Sequence, residues 1–212
     1  MKLDIVYKSQ LEPKDETDFA VGDCGAACIS MIADVPVDDV SEATGEPQGF
    51  TSLTLRQLQL VSVQWDITLS WRGRMTIGEV KGLLDKGFPI VSLCWYPLLP
   101  LRFDPSYKNG HFVLIVGYEG NDLLIHDPYY RNGWGAYLRM SWDDFSKAWS
   151  ADCPAFKTPR QGLVPNVQFP KVAEQEVIKV WWEVEQAIRE IEQGESEKAR
   201  VRLRDRVRPN VK

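Results

Sequence analysis

Three kinds of side chain in this sequence could together perform acyl chemistry: a thiol, an imidazole and a carboxylate. The thiol is Cys24, in the stretch Gly22-Asp23-Cys24-Gly25-Ala26-Ala27-Cys28-Ile29-Ser30-Met31-Ile32. A small polar turn leads into it, and apolar residues then recur at helical spacing (Ala27, Cys28, Met31, Ile32). That pattern predicts a loop opening a buried helix, with the cysteine in its first turn. A thiol there lies among unpaired backbone N–H groups at the positive end of the macrodipole, a setting that favours thiolate. Gly25 and Ala26 put no bulk beside the sulfur, so a second chain is expected to be able to approach it. The plain alternative is an ordinary buried cysteine at a helix start, and downstream residues decide between the two.

A thiolate attacking a carbonyl needs an imidazole to deprotonate it, a group that orients the imidazole, and a donor for the developing oxyanion. The chain has two histidines, His111 and His126, and Asp127 precedes Pro128 where a strand should end. His126 and Asp127 are neighbours on one strand, so their side chains leave opposite faces and they make a poor pair. His111 opens the preceding strand, and antiparallel pairing brings it near Asp127. With Glu119-Gly120-Asn121 as the loop, residue 118 faces 122 and Asp127 faces Val113. His111 is then on the face of Asp127, two residues along. An even-length turn without a bulge would separate them.

Several elements must position these groups. Residues 3–7 alternate as a short edge strand, and 11–23 form a polar loop delivering the chain to Cys24. The Cys24 helix should end near Asp34, because Pro36 cannot continue it. A short helix is expected from Val37 to Thr44, a loop over 45–51, a helix over Leu53 to Val63, and a strand through Ile67, Leu69 and Trp71. Thr76 caps a helix burying Ile77, Val80, Leu83 and Leu84, closed by Gly87. Pro89 to Trp95 reads as a buried strand. Tyr96 to Gly110 is too long for a tight turn and reads as a flap. A hairpin over 111–126, a strand over 137–140 and a helix over 142–150 follow. Helices come mainly first and strands later, which predicts α+β rather than alternating βαβ. Residues 154–170 carry four prolines and are expected to be a linker after a domain over 1–153. Residues 171–212 shift to helix formers, predicting a helical hairpin, either a solvated face or a surface for self-association or partner docking.

Composition narrows the classes. The chain has 212 residues, 44% hydrophobic and 26% charged, which describes a globular protein with one good core and an appendage. A net charge of −5 argues against nucleic acid as a partner. No apolar run approaches a membrane span and no signal-peptide pattern opens the sequence. Four cysteines do not suggest a disulfide scaffold, and a cytoplasmic setting is the simplest expectation. With two histidines and a single CxxxC, neither a metal nor an organic cofactor is expected.

Asp23-Cys24-Gly25-Ala26-Ala27 with Met31, then Gly110-His111-Phe112-Val113, then Ile125-His126-Asp127-Pro128 together resemble the bacteriocin-processing cysteine peptidases and their stand-alone relatives of the papain-like clan. Those enzymes cut leader peptides after double-glycine sites. Gly87-Phe88-Pro89-Ile90-Val91 and Met140-Ser141-Trp142-Asp143-Asp144-Phe145 with Trp149 are similar too, so the likeness spans roughly 5–156 and leaves out the tail. It implies a papain-like fold and a peptide or protein substrate. Cys24 would be the nucleophile, His111 the general base and acid, and Asp127 the orienter. The family also uses a glutamine upstream of the cysteine as oxyanion donor. Six residues before Cys24 stands Asp18, which would repel an oxyanion, whereas Gln10 in Tyr7-Lys8-Ser9-Gln10 resembles the glutamine of the stand-alone relatives. Two other functions stay open: an acyl or glutamine-modifying transferase on the same triad, and a catalytically idle adaptor.

Overall fold

The computed structural model describes residues 1–11, 24–45, 53–150 and 158–172. The chain divides into two units, Met1–Lys171 and Val172–Lys212. The expected helical hairpin, the 12–23 loop with Asp18, and Cys153 lie outside the described residues. Among the described residues no helix is long and apolar enough to cross a membrane.

Among the described residues of the first unit are five α-helices and six strands. They are α1 (Cys24–Ala33), α2 (Val37–Ala43), α3 (Leu55–Ser62), β1 (Leu69–Arg72), α4 (Ile77–Asp85), β2 (Ile90–Trp95), β3 (Gly110–Glu119), β4 (Asp122–His126), β5 (Leu138–Ser141), α5 (Trp142–Ser150) and β6 (Gly162–Pro165). The strands form one antiparallel sheet in the order β1-β6-β2-β3-β4-β5.

Helix α1 is buried from Cys24 to Ile32, as a helix apolar on nearly every face must be, and its one polar side chain, Ser30, bonds to the Val35 carbonyl. It stops where Asp34 turns left-handed (φ 53°), two residues before Pro36. The Lys8 ammonium meets both the Asp34 carboxylate (3.1 Å) and the Val35 carbonyl (2.8 Å) there. It packs on β3, α2 and α3, which sets the cysteine against the strand carrying His111. Helix α4 opens on a capping box between Thr76 and Glu79, and its buried positions are Val80 and Leu84. Gly87 ends it at φ 85°, and a side chain there would meet the Phe169 carbonyl at 2.8 Å.

Two expectations are corrected. Residues 3–7 form no strand; Lys2 and Leu3 make only isolated bridges, to Gly117 and Lys171. Residues 154–170 are not simply a linker, because β6 sits inside the sheet between β1 and β2. Its apolar core, Leu163-Val164, is too short to show periodicity. Pro165 is tolerated because it ends the strand, opposite Leu69. Gly162 is required, since a Cβ would lie 2.7 Å from the Val91 carbonyl.

Candidate active site

The hairpin that carries His111 and Asp127 reaches the expected register by a different route. Glu119 pairs with Asp122, so the turn is the two residues Gly120-Asn121, with Gly120 at φ 56°. Between Ile115 and Gly117 the register shifts at a β-bulge, so that Ile115 pairs with Ile125 and Leu114 with His126. One extra residue offsets the even turn, and continuing the ladder places Asp127 across from Val113. The Val116 carbonyl at the bulge accepts the Leu3 N–H (2.8 Å).

His111 Nε2–H therefore donates to Asp127 Oδ1 at 2.6 Å, with both groups buried. Asp127 Oδ1 also accepts the Tyr129 N–H (2.9 Å). With Nε2 committed, Nδ1 is the ring nitrogen left for Cys24, whose side chain hydrogen-bonds to His111. The Phe112 N–H, one residue past His111, points at the sulfur (3.4 Å). Cys24 is buried, only 6% exposed. Burial opposes a charge on His111, but the Asp127 carboxylate and then Cys24 outweigh it and hold the imidazole pKa up at about 10.

His126 belongs to the structure rather than to this constellation. Its Nε2–H donates to the Ile5 carbonyl (3.0 Å) and its Nδ1 accepts the Tyr137 N–H (3.0 Å). Burial first, and Lys2 after it, lower its pKa to about 4 despite the Ile5 bond, so the ring is neutral. Gln10 is buried and fixed by its backbone N–H to the Pro128 carbonyl (2.9 Å), directly after Asp127. Among the described residues its Oε1 meets no donor.

Tyr96 stands edge-on to the His111 ring (centroids 5.0 Å), and Tyr129 lies tilted against it (5.8 Å). The stretch expected as a flap joins this wall. Phe103 and Tyr107 pack on Tyr129, and the Tyr129 hydroxyl reaches the Asp104 carboxylate (3.3 Å). Nothing in the spacing of these aromatics marked them as neighbours of His111. Nor was the Phe112 N–H foreseeable, since it depends on how α1 meets β3. Gly25 also differs from expectation. A Cβ there would meet Leu58 at 3.0 Å and Phe112 at 3.2 Å, so its smallness serves helix packing, not access to the sulfur.

Among the described residues no group of His, Cys, Asp and Glu could hold a metal ion. A thiol opening a buried helix, set against an antiparallel sheet bearing a hydrogen-bonded His and Asp, is the arrangement of a papain-like peptidase fold. A C39-like peptidase from Bacillus anthracis shares that fold, with a TM-score of 0.56 at 14% identity over 80% of this chain and 100% of that one. The chain belongs to the Peptidase_C39 like family, whose model matches residues 2–153. Two further solved structures are similar at 16% identity. One is a double glycine motif protease from an AMS/PCAT transporter in complex with the leader peptide (77% of this chain, 92% of that one, TM-score 0.47). The other is the peptidase domain of Streptococcus ComA, a bi-functional ABC transporter (78% and 100%, TM-score 0.45). No curated protein sequence matches the chain. Family membership supports a cysteine-peptidase type of function.

Proposed function

We propose that the chain is a cysteine peptidase acting through Cys24, His111 and Asp127, with a peptide or protein as substrate. The observation that carries this reading is the 2.6 Å bond from His111 Nε2 to buried Asp127, with Cys24 hydrogen-bonded to the same imidazole. Asp127 fixes the ring and stabilises its charge, and His111 takes the thiol proton. Cys24 Sγ then bonds to the substrate carbonyl carbon. The backbone N–H of Cys24 and the side-chain amide of Gln10 are the proposed donors to the oxyanion. Losing one such donor typically costs ~10²–10³ in rate. As the C–N bond breaks, His111 delivers its proton to the leaving amine and a thioester remains on Cys24. Water, deprotonated by His111, attacks that thioester, the C–S bond breaks, and the acid product leaves. A preference for double-glycine sites is part of the proposal at its finest level.

Iodoacetamide labelling with mass mapping tests the core of this. At about pH 6, folded wild type should label at Cys24 at least ~10-fold faster than His111→Ala, with the gap closing near pH 9.5. Cys28 and Cys94 should stay unlabelled, because burial pushes both thiols up. Equal Cys24 rates in the two proteins at every pH would refute the proposed pairing.

A further inference from the structure

The N-terminal segment is stitched along the Asp127 loop. His126 Nε2–H reaches the Ile5 carbonyl, the Ser9 hydroxyl (3.3 Å) and the Gln10 N–H (2.9 Å) reach the Pro128 carbonyl, and Tyr7 lies between them. The Tyr7 hydroxyl is 2.8 Å from the Asp127 carbonyl and 2.6 Å from the Tyr130 carbonyl, so its single proton is shared between them. We propose that Tyr7 is a positioning residue for the His111–Asp127 pair, acting through the main chain of Asp127.

The peptide bond after Asp127 leads into Pro128 and has no N–H. Its carbonyl oxygen is therefore the only polar atom by which that peptide plane can be gripped, and the Tyr7 hydroxyl grips it. On the other side, the Asp127 N–H donates to the Gly135 carbonyl (2.9 Å). The carboxylate draws on this support because, among the described residues, one of its two oxygens is anchored and the other is not. Oδ1 accepts both His111 and Tyr129, while Oδ2 is buried and meets no donor among the described residues. The aim of Oδ1 thus depends on a main chain held at both ends. Gly135 belongs to the same device, since a Cβ there would lie 2.0 Å from the Asp127 carbonyl and 2.5 Å from the Tyr7 hydroxyl.

The proposal rests on Asp127 being the orienter of His111, and the test separates the two. Tyr7→Phe removes the hydroxyl and keeps the ring that stands edge-on to His126. The readout is the ratio of iodoacetamide labelling rates of Cys24 at about pH 6 and about pH 9, in wild type, Tyr7→Phe, Asp127→Asn and the double variant. Misplacement of order 1 Å costs as much as ~10²-fold in such assemblies, so the ratio should fall ~10-fold in Tyr7→Phe. In the Asp127→Asn background the same change should move it less than ~2-fold. Ser9→Ala, which loosens Pro128 instead, should leave the ratio unmoved. An unmoved ratio in Tyr7→Phe while Asp127→Asn lowers it would overturn the proposal alone, as would equal falls in both backgrounds. If Asp127→Asn itself changes nothing, the orienter reading fails and this one with it. Should Tyr7→Phe give no folded protein by circular dichroism, Gly135→Ala disturbs the same grip from the other side, and an unmoved ratio there overturns the proposal.

Discussion

Replacing Asp127 with asparagine should destabilise the fold most below about pH 6.5 and least near pH 10. In the native protein burial disfavours a charged His111, yet the Asp127 carboxylate and Cys24 hold its pKa at about 10, against 6.5 for an ordinary histidine. A group whose folded pKa is raised stabilises the fold fully below its unfolded value. That contribution is lost as pH rises through the folded value. At ~1.4 kcal/mol per pH unit, the interval corresponds to on the order of 5 kcal/mol. An independent figure, ~3–5 kcal/mol for deleting one partner of a buried ion pair, agrees. The amide keeps an oxygen for His111 Nε2–H and the Tyr129 N–H. It also places an NH₂ where Oδ2 meets no donor or acceptor among the described residues, adding ~1–3 kcal/mol that does not vary with pH. Urea unfolding of wild type and Asp127→Asn at about pH 6, 8 and 10 separates the parts. The stability difference should shrink by several kcal/mol across that range, leaving the constant offset. A difference constant to within ~1 kcal/mol would refute the claim that Asp127 holds His111 charged.

His126 should give the opposite pH dependence. Its folded pKa of about 4 lies below the ordinary 6.5, so its contribution is present above 6.5 and is lost as pH falls towards 4, on the order of 3 kcal/mol. His126→Asn should flatten the fall in urea-derived stability between about pH 7 and pH 4, and an unchanged slope would exclude a buried neutral ring. Trp149 is fully buried, and its indole N–H donates to the Gln161 carbonyl (2.7 Å), tying α5 to the start of β6. Trp149→Ala should cost ~3–5 kcal/mol by urea unfolding, and a loss under ~1 kcal/mol would show that this tie is dispensable.

Much of the fold was legible because local signals and burial agreed. The run from Ala26 to Ile32, apolar but for Ser30, reads as a buried helix, and Thr76 with Glu79 is a cap whose partner stands in the third position. Strand β6 was illegible for the opposite reason. Between Pro159 and Pro165 only Leu163 and Val164 are apolar, and what makes them a strand is the open flank of β2, supplied from seventy residues upstream. Gly25 was misread because a missing side chain signals a close approach without saying by what; Leu58 and Phe112 fill the space.

The candidate site was legible in one respect that survived a wrong detail. What brings His111 and Asp127 together is the parity of the offset between β3 and β4, not the turn itself. A three-residue loop and a two-residue turn with one bulged residue give the same parity. The sequence Glu119-Gly120-Asn121-Asp122 suits either, and Val116 carries no mark of a bulge. The mark lies elsewhere, in Gly117, where a Cβ would sit 2.5 Å from the Met1 carbonyl, and in the Leu3 N–H that takes up the Val116 carbonyl. The first residues of the chain thus occupy the bulge that corrects the register. A few residues later the same segment grips Asp127 through Tyr7. Gly117→Ala should therefore act at a distance, displacing the N-terminal segment from the edge of the bulge and lowering the ratio of Cys24 labelling rates at about pH 6 and about pH 9, and an unmoved ratio in the folded variant would refute that coupling.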